Sequence, residues 1–568
     1  MKFAVDLLTA GRYLWRKLPP NRAIFTQRKH GFQNAGQQSL SFRRFSTSNR
    51  HFGSEKVAIL FDLFKDNQGT VPVDVFLQDL QSTGFKKSDP RFKKMIDNLH
   101  SLSRELGETS IDRLTLNEEQ FEKVIKDSVI IISQALQNSD IVIPDFPEFC
   151  KYVENFYFKC KANTSGKPAE YIPQLAKVNP EYWGVSLCTV DGQRFSIGDT
   201  KVPFTIQSTG KPINYAIALS ELGSEVVHKY VGQEPSGRMF NELVLDQYNK
   251  PHNPMVNAGA IVICSLLINL IEPNLAVSEK FEWVCNYYKR MSGSEYLGFN
   301  NATFLSEKEA ADRNYAIAYY LKEYKCFPKN AVLKDTMDFY FQLCSLEVNC
   351  ETVSSIAATL ANGGICPLTN NQVITSSSVR DVLSLMHSCG MYDFSGQFAF
   401  NVGLPTKSGV SGSLMVVIPN VMGICCWSPN LDMYGNSVRG VQFCEELVSV
   451  FNFHQYDNLR HSPHKTDPRK RKATAKASEM SSVLFAATNG DIKEIRRFYL
   501  SGMNMNRKDY DGRTVLHIAA SEGHLNVVCF LVNVCKVDKT IKDRWNNTAL
   551  DNALQFGHQD VVDFLSSN

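Results

Sequence analysis

A serine hydroxyl is a weak nucleophile until a base stands beside it. Ser208, Thr209, Gly210 and Lys211 sit in the run QSTGKP, and the apolar residues Tyr215, Ile217, Ala218 and Leu222 follow at helical spacing. That spacing predicts Ser208 in the first turn of a helix. Residues at i and i+3 share a helix face, so the Lys211 amine is expected beside the Ser208 hydroxyl. Burial and neighbouring groups can lower a lysine's pKa enough to leave it neutral and basic. The chemistry to expect is attack on a carbonyl carbon.

On its own this spacing is common in long chains. Lys407-Ser408-Gly409, about 200 residues later, opens an apolar strand-like run. SxxK followed by K[ST]G is the signature of serine β-lactamases and penicillin-binding proteins, in which the second motif lines the edge strand beside the nucleophile. Read more simply, Lys407 is a strand-edge charge. The middle SDN element of that signature has no clean match, which argues against β-lactamase activity.

The elements around these motifs describe an α+β domain over residues 141–455. Trp183–Thr189 and Arg194–Ile197 alternate around Asp191-Gly192, a hairpin signal. A long helical middle runs from about Val202 to Ser388. Strands return at Leu414–Ile418 and Val421–Trp427, joined at Pro419-Asn420, and helical spacing resumes at Val441–Phe451.

The flanks have their own textures. Residues 1–53 hold ten Lys/Arg against Asp6 alone, a net charge of +9. An Arg- and Ser-rich, acid-poor start reads as a mitochondrial presequence. Residues 55–140 are helical in spacing, and Phe64–Val75 (FKDNQGTVPVDV) resembles an EF-hand loop. With Gly69 at the sixth position, Phe64 falls first and Val75 twelfth, where a calcium loop needs an acid and a glutamate. We expect an EF-hand-like helical domain without calcium. Residues 456–480 are basic, polar and broken by proline; Arg469–Lys472 reads as a solvated tether rather than a nuclear signal. Residues 481–568 repeat: Thr514–His517 returns as Thr548–Asp551 after 34 residues, and Gly523-His524 as Gly557-His558. Gly490-Asp491 precedes the first of these pairs by 33 residues. This is the ankyrin pattern in three copies. His517, His524 and His558 hold turn positions in it and are not read as metal ligands.

The 568 residues carry a net charge of only +3, which gives no sign of a nucleic-acid binder. Fifteen cysteines form no CxxC pair, which argues against structural zinc. No segment reads as transmembrane: Ser408–Asn430 is interrupted by Gly412, Pro419 and Gly423, and Ala258–Ile271 is too short.

The blocks QSTGKPINYAIALSELG, KPHNPMVNAGAI, ADRNYAIAYYLKE, TLANGGICP, LMHSCGMYDFSGQFAF and GLPTKSGVSG closely resemble the animal phosphate-activated mitochondrial glutaminases of kidney and liver type. The resemblance runs from about residue 55 to 568. It implies hydrolysis of L-glutamine to L-glutamate and ammonia in the mitochondrial matrix, by a homotetramer or longer filaments. It implies no metal or organic cofactor, with inorganic phosphate as activator. By matching blocks, Ser208 is the nucleophile and Lys211 its activating partner. Tyr392 in GMYDFSG assists proton transfer, and Tyr171 in EYIPQLAK lies at the substrate and nucleophile. Asn257, Glu307, Asn314 and Tyr340 match substrate-binding positions, and Val410 matches a backbone oxyanion donor beside Ser208.

The chemistry is consistent with that set. A glutamine zwitterion needs a carboxylate for its ammonium, which Glu307 can supply. Its carboxylate needs donors, which Asn257, Asn314 and Tyr340 can supply. Residues 235–250 resemble the family's gating loop, with Gly237 as a hinge, Lys250 at its end, and Phe240, Leu243, Val244 and Leu245 apolar enough to seek a partner surface. Glu242 stands where family members commonly have lysine, which implies a weaker or displaced phosphate response. The rival readings are a serine amidase for another amide, and a scaffold whose ankyrin repeats bind an unknown partner beside an inactive catalytic domain.

Overall fold

The computed structural model describes residues 57–58, 60–137, 141–237, 241–272, 274–457, 464–470, 472–500 and 503–567. The presequence expected over 1–53 and the gating-loop residue Phe240 lie outside them.

The first helical part packs helices Val73–Ser82, Lys93–Glu105, Glu118–Ile125 and Val129–Gln137. Phe76 and Phe121 meet edge to face at 5.4 Å within its core. Val71–Pro72 pairs antiparallel with Thr115–Leu116, joining its two loops. The Asp66 carboxylate accepts the backbone N–H groups of Gln68 at 2.9 Å and Thr70 at 3.0 Å. The EF-hand-like loop is thus closed by its own side chain, an Asx turn. This part docks on the next through Arg194 N–H to Gly84 O at 2.7 Å and Gln193 Nε2 to Thr83 O at 2.9 Å.

The central part is a five-stranded antiparallel sheet with helices on both faces. Its strands and those of a smaller sheet are β1 (Gly184–Thr189), β2 (Arg194–Gly198), β3 (Phe204–Thr205), β4 (Gly298–Phe299), β5 (Leu346–Val348), β6 (Thr406–Gly409), β7 (Ser413–Ile418) and β8 (Met422–Trp427). The main sheet has the order β2-β1-β8-β7-β6. Successive strand residues point to opposite faces, and here both faces are apolar. Leu414, Val416 and Ile418 join one core; Met415 and Val417 join the other.

The helices that matter below are α1 (Phe146–Lys161), α2 (Lys211–Leu222), α3 (Asn257–Leu270), α4 (Asn301–Glu309), α5 (Asp312–Glu323), α6 (Leu333–Cys344), α7 (Cys350–Ala361), α8 (Ser376–Cys389) and α9 (Val438–Val450). Helices α1 and α9 cover one face of the sheet, where Trp183 stacks on Tyr157 at 5.6 Å. Helix α7 lies against the other. It comes so close that a Cβ on Gly423 would sit 2.1 Å from the Ala358 nitrogen. This is the α+β architecture of the serine β-lactamase and penicillin-binding-protein class.

Two expectations change. The helical middle is interrupted by β3, β4 and β5, which form a second sheet in the order β3-β5-β4. Strands of two or three residues have no readable period; long-range pairing such as Thr205 with Glu347 defines them. The tether expected over 456–480 ends early. Helix Lys472–Thr488 already occupies its second half, because the run KATAKA favours helix and Met480 is buried in the repeat core.

The C-terminal part stacks three helix pairs: Lys472–Thr488 with Ile492–Leu500, Val515–Ser521 with Leu525–Asn533, and Ala549–Phe556 with Gln559–Ser567. His524 Nε2 bonds Thr488 O at 2.8 Å and His558 Nε2 bonds Ser521 O at 2.9 Å, so the Gly-His turns stitch each repeat to the one before. Among the described residues, no helix is long and apolar enough to cross a membrane.

Candidate active site

Ser208 lies on a 3₁₀ turn, Gln207–Gly210, that leads into α2. It is therefore one turn earlier than the first turn of the α-helix. The reason is Pro212: it has no N–H to donate and suits only a helix's first turn, so α2 begins at Lys211. Gln207 just before it is left-handed, with φ 48°. Ile206 N–H bonds Leu346 O at 2.8 Å, and the Thr209 hydroxyl bonds the Ser413 hydroxyl at 2.7 Å. The turn is thus clamped between β5 and β7.

Edge strand β6 runs beside this turn. A Cβ on Gly409 would meet Thr209 Oγ1 at 2.5 Å, so the glycine of the KSG motif is what lets the two motifs touch. Tyr392, with φ 53°, brings its hydroxyl to the Ser208 side chain and donates to Ser408 O at 3.2 Å. Burial pushes the Tyr392 pKa up, so the phenol holds its proton. Lys407 is not a strand-edge charge. It is fully buried, donates to the same Ser408 oxygen at 2.7 Å, and places Nζ 4.5 Å from the Tyr392 ring centre. Burial and the nearby Lys211 push its pKa well down.

Lys211 is also buried, at 3% exposure. Burial lowers its pKa to about 8. Its Nζ donates to Asn257 Oδ1 at 2.6 Å, and among the described residues no hydrogen bond joins it to Ser208. Asn257, the first residue of α3, passes its Nδ2–H to Asn314 Oδ1 on α5 at 3.1 Å. Across the site, Glu307 on α4 accepts the Tyr171 hydroxyl at 2.6 Å and Gln207 Nε2 at 2.9 Å, both on Oε1. Burial raises the Glu307 pKa, and these two donors oppose the rise. Tyr340 on α6 is buried, and burial holds its phenol protonated.

All the residues expected at the centre therefore belong to one region. Lys211 and Tyr340 share a closed cavity with Gln207, Asn214, Cys264 and Cys344. Val410 follows β6, and among the described residues neither its N–H nor that of Ser208 has a hydrogen-bond acceptor. Sequence reasoning did not single out Gln207 and left Lys407 open. Only the KSG triplet pointed to Lys407, and nothing local points to Gln207. Among the described residues, no cluster of three or more His, Cys, Asp or Glu is placed to hold a metal ion.

The expected gating loop borders this centre. Pro235, Ser236, Gly237 and Glu242 line a cavity of about 620 Å³ with Tyr392 and Asp393. Gly237 has φ 61°. Leu243 is exposed and Val244 half-buried. Lys250 donates to His228 O at 2.9 Å, and Arg313, beside Asn314, donates to Asn241 O at 2.9 Å.

A glutaminase family model matches residues 166–456, an EF-hand domain model 57–144, and a model of three ankyrin repeats 483–568. The chain is 53% identical over 507 residues to the mitochondrial liver-isoform glutaminase of Mus musculus, covering 89% of this chain and 83% of that protein. It is 51% identical over 522 residues to putative glutaminase 2 of Caenorhabditis elegans, covering 90% and 85%. Among solved structures, it is similar to Mglu in its L-glutamate binding form, with a TM-score of 0.52 and 35% identity over 56% of this chain and 71% of that one. A probable glutaminase gives a TM-score of 0.50 and 32% identity over 54% of this chain and 98% of its own.

Proposed function

This chain belongs to the glutaminase family, and on that premise we propose that it hydrolyses L-glutamine to L-glutamate and ammonia through a glutamyl ester of Ser208. The observation that carries the reading is the pairing of Ser208 with Tyr392 beside the buried Lys407, with the neighbouring Gln207 side chain bonded to the Glu307 carboxylate.

Glutamine enters with its ammonium toward Glu307 and its carboxylate toward Asn257, Asn314 and Tyr340; Tyr171 closes over Glu307. Neutral Lys211 takes the Ser208 proton as Oγ attacks the side-chain amide carbon. Catalytic hydrogen bonds commonly tighten only when substrate is bound, so the Lys211–Asn257 bond is the resting arrangement. The N–H groups of Ser208 and Val410 receive the oxyanion; losing one such donor typically costs about 3–4 kcal/mol in the barrier. Tyr392 hands a proton to the departing nitrogen, the C–N bond breaks and ammonia leaves. Water then attacks the ester carbon and gives a proton to the Tyr392 phenolate, while protonated Lys211 returns its proton to the departing Ser208 oxygen; glutamate, free Ser208 and the resting Tyr392 and Lys211 are restored. No metal or organic cofactor takes part in these steps.

The enzyme works in the mitochondrial matrix, a placement supported by the mitochondrial relatives and the basic, acid-poor residues 1–53. It is a tetramer or a longer filament, activated by inorganic phosphate through the loop 235–250. Leu243, exposed beside Val244, supports a partner contact there. The ankyrin repeats serve a partner of their own.

Steady-state ammonia release from a panel of amides tests this. We expect L-glutamine to be preferred and Ser208→Ala to reduce release to background. Preference for asparagine would overturn the substrate. Equal, negligible release by wild type and Ser208→Ala would favour the scaffold.

A further inference from the structure

We propose that Gln207 is a positioning residue that links recognition of the substrate's ammonium at Glu307 to the aim of the Ser208 hydroxyl. This rests on the glutaminase reading and goes further, since it says how the amino-acid end of the substrate affects the chemical step.

Gln207 is held in a conformation that L-residues rarely adopt, with φ 48°. Such a backbone is strained and persists only where its surroundings over-determine it. The surroundings here are explicit. Its neighbours are pinned by Ile206 N–H to Leu346 O at 2.8 Å and by Thr209 Oγ1 to Ser413 Oγ at 2.7 Å. Its side chain, 5% exposed, donates to Glu307 Oε1 at 2.9 Å and more weakly to Thr205 Oγ1 at 3.5 Å. The strong tether therefore runs to a residue 100 positions away on α4. Ser208 is bonded directly to Gln207 in the chain, so a rotation of that backbone re-aims the hydroxyl.

Glu307 Oε1 already accepts two hydrogen bonds, from Tyr171 and Gln207. A substrate ammonium joins the same carboxylate and holds it ionised in its buried setting, where it is a stronger acceptor for the Gln207 amide. Binding of the ammonium thus tightens the tether that fixes the strained turn. An amide lacking the ammonium leaves the tether weaker and the nucleophile less well aimed. Misplacing reacting groups by about 1 Å can cost about a hundredfold in rate.

The test uses the full chain with L-glutamine and 4-carbamoylbutanoate, the same amide without its ammonium. For wild type, kcat is expected to be at least about tenfold higher for L-glutamine. In Gln207→Met, which keeps the volume and loses the donor, kcat for L-glutamine falls about tenfold with KM within about threefold, and the ratio between the two substrates collapses toward one. Gln207→Gly takes φ 48° without strain and guards against misfolding of the first variant; it is expected to show the same collapse. An unchanged ratio in both variants overturns the proposal, and so does a rise in KM alone. If wild type itself releases no ammonia from L-glutamine, the glutaminase reading fails instead.

Discussion

Lys211 Nζ lies 2.6 Å from Asn257 Oδ1, tying the candidate base on α2 to the first residue of α3. Asn257 in turn bonds Asn314 on α5. Three helices far apart in sequence therefore meet at one buried amine. In the proposed mechanism the residues that read the substrate's carboxylate also hold the amine that deprotonates Ser208.

Burial places the Lys211 pKa at about 8. The active form is the neutral one, so activity should rise with pH. We expect kcat/KM to climb about tenfold per pH unit below pH 8 and to level off above it. A pH–rate profile of the free enzyme, flat from pH 6 to 9, would remove Lys211 from the role.

The same burial has a cost in stability. The pKa of Lys211 is lower in the folded state than in the unfolded chain, so the unfolded state binds more protons between about pH 8 and the ordinary lysine value of 10.5. The penalty is full below pH 8, and stability rises with pH through that window. Lys211→Met should abolish turnover yet stabilise the fold at pH 7 by about 1–3 kcal/mol. Urea unfolding at pH 7 and pH 9 checks this; the advantage should shrink at the higher pH.

Gly409→Ala should break the contact between the two motifs. Its new Cβ would lie 2.5 Å from Thr209 Oγ1 and 3.0 Å from Ser413 Oγ. Overpacking at such a site costs about 1–3 kcal/mol. We expect a lower melting temperature and a loss of activity larger than the loss of folded protein, measured on the same sample.

Glu242→Lys should strengthen the response to phosphate. Glu242 lines the cavity next to Tyr392, where a carboxylate repels an anion. Replacing it with a cation at a partly exposed site is worth about 0.5–1 kcal/mol, a roughly threefold lower half-saturating phosphate. Titrating phosphate against ammonia release by the two proteins decides it; identical curves would take residue 242 out of phosphate sensing.

Much of this protein can be read along its chain. The hairpin around Asp191-Gly192, the strands that end in β8, the ankyrin helices and their Gly-His turns all come from local periodicity and turn chemistry. The residues proposed for the reaction were named from the likeness of whole blocks. The small sheet was not, because β3, β4 and β5 are too short to carry a period. The 3₁₀ turn under Ser208 was readable in principle from Pro212, although apolar spacing alone carries the helix back to Ser208.

By itself, the order of residues determined which groups are present: a hydroxyl, two amines, a carboxylate and three tyrosines in recognisable settings. Only the tertiary structure decided their state. A pKa follows from how much water and which charges surround a group, and those neighbours come from elements far apart in the chain. Lys407 reads as an edge charge until β6 is buried beneath Tyr392. Gln207 reads as an ordinary polar residue until α4 brings Glu307 within 2.9 Å and holds its backbone left-handed.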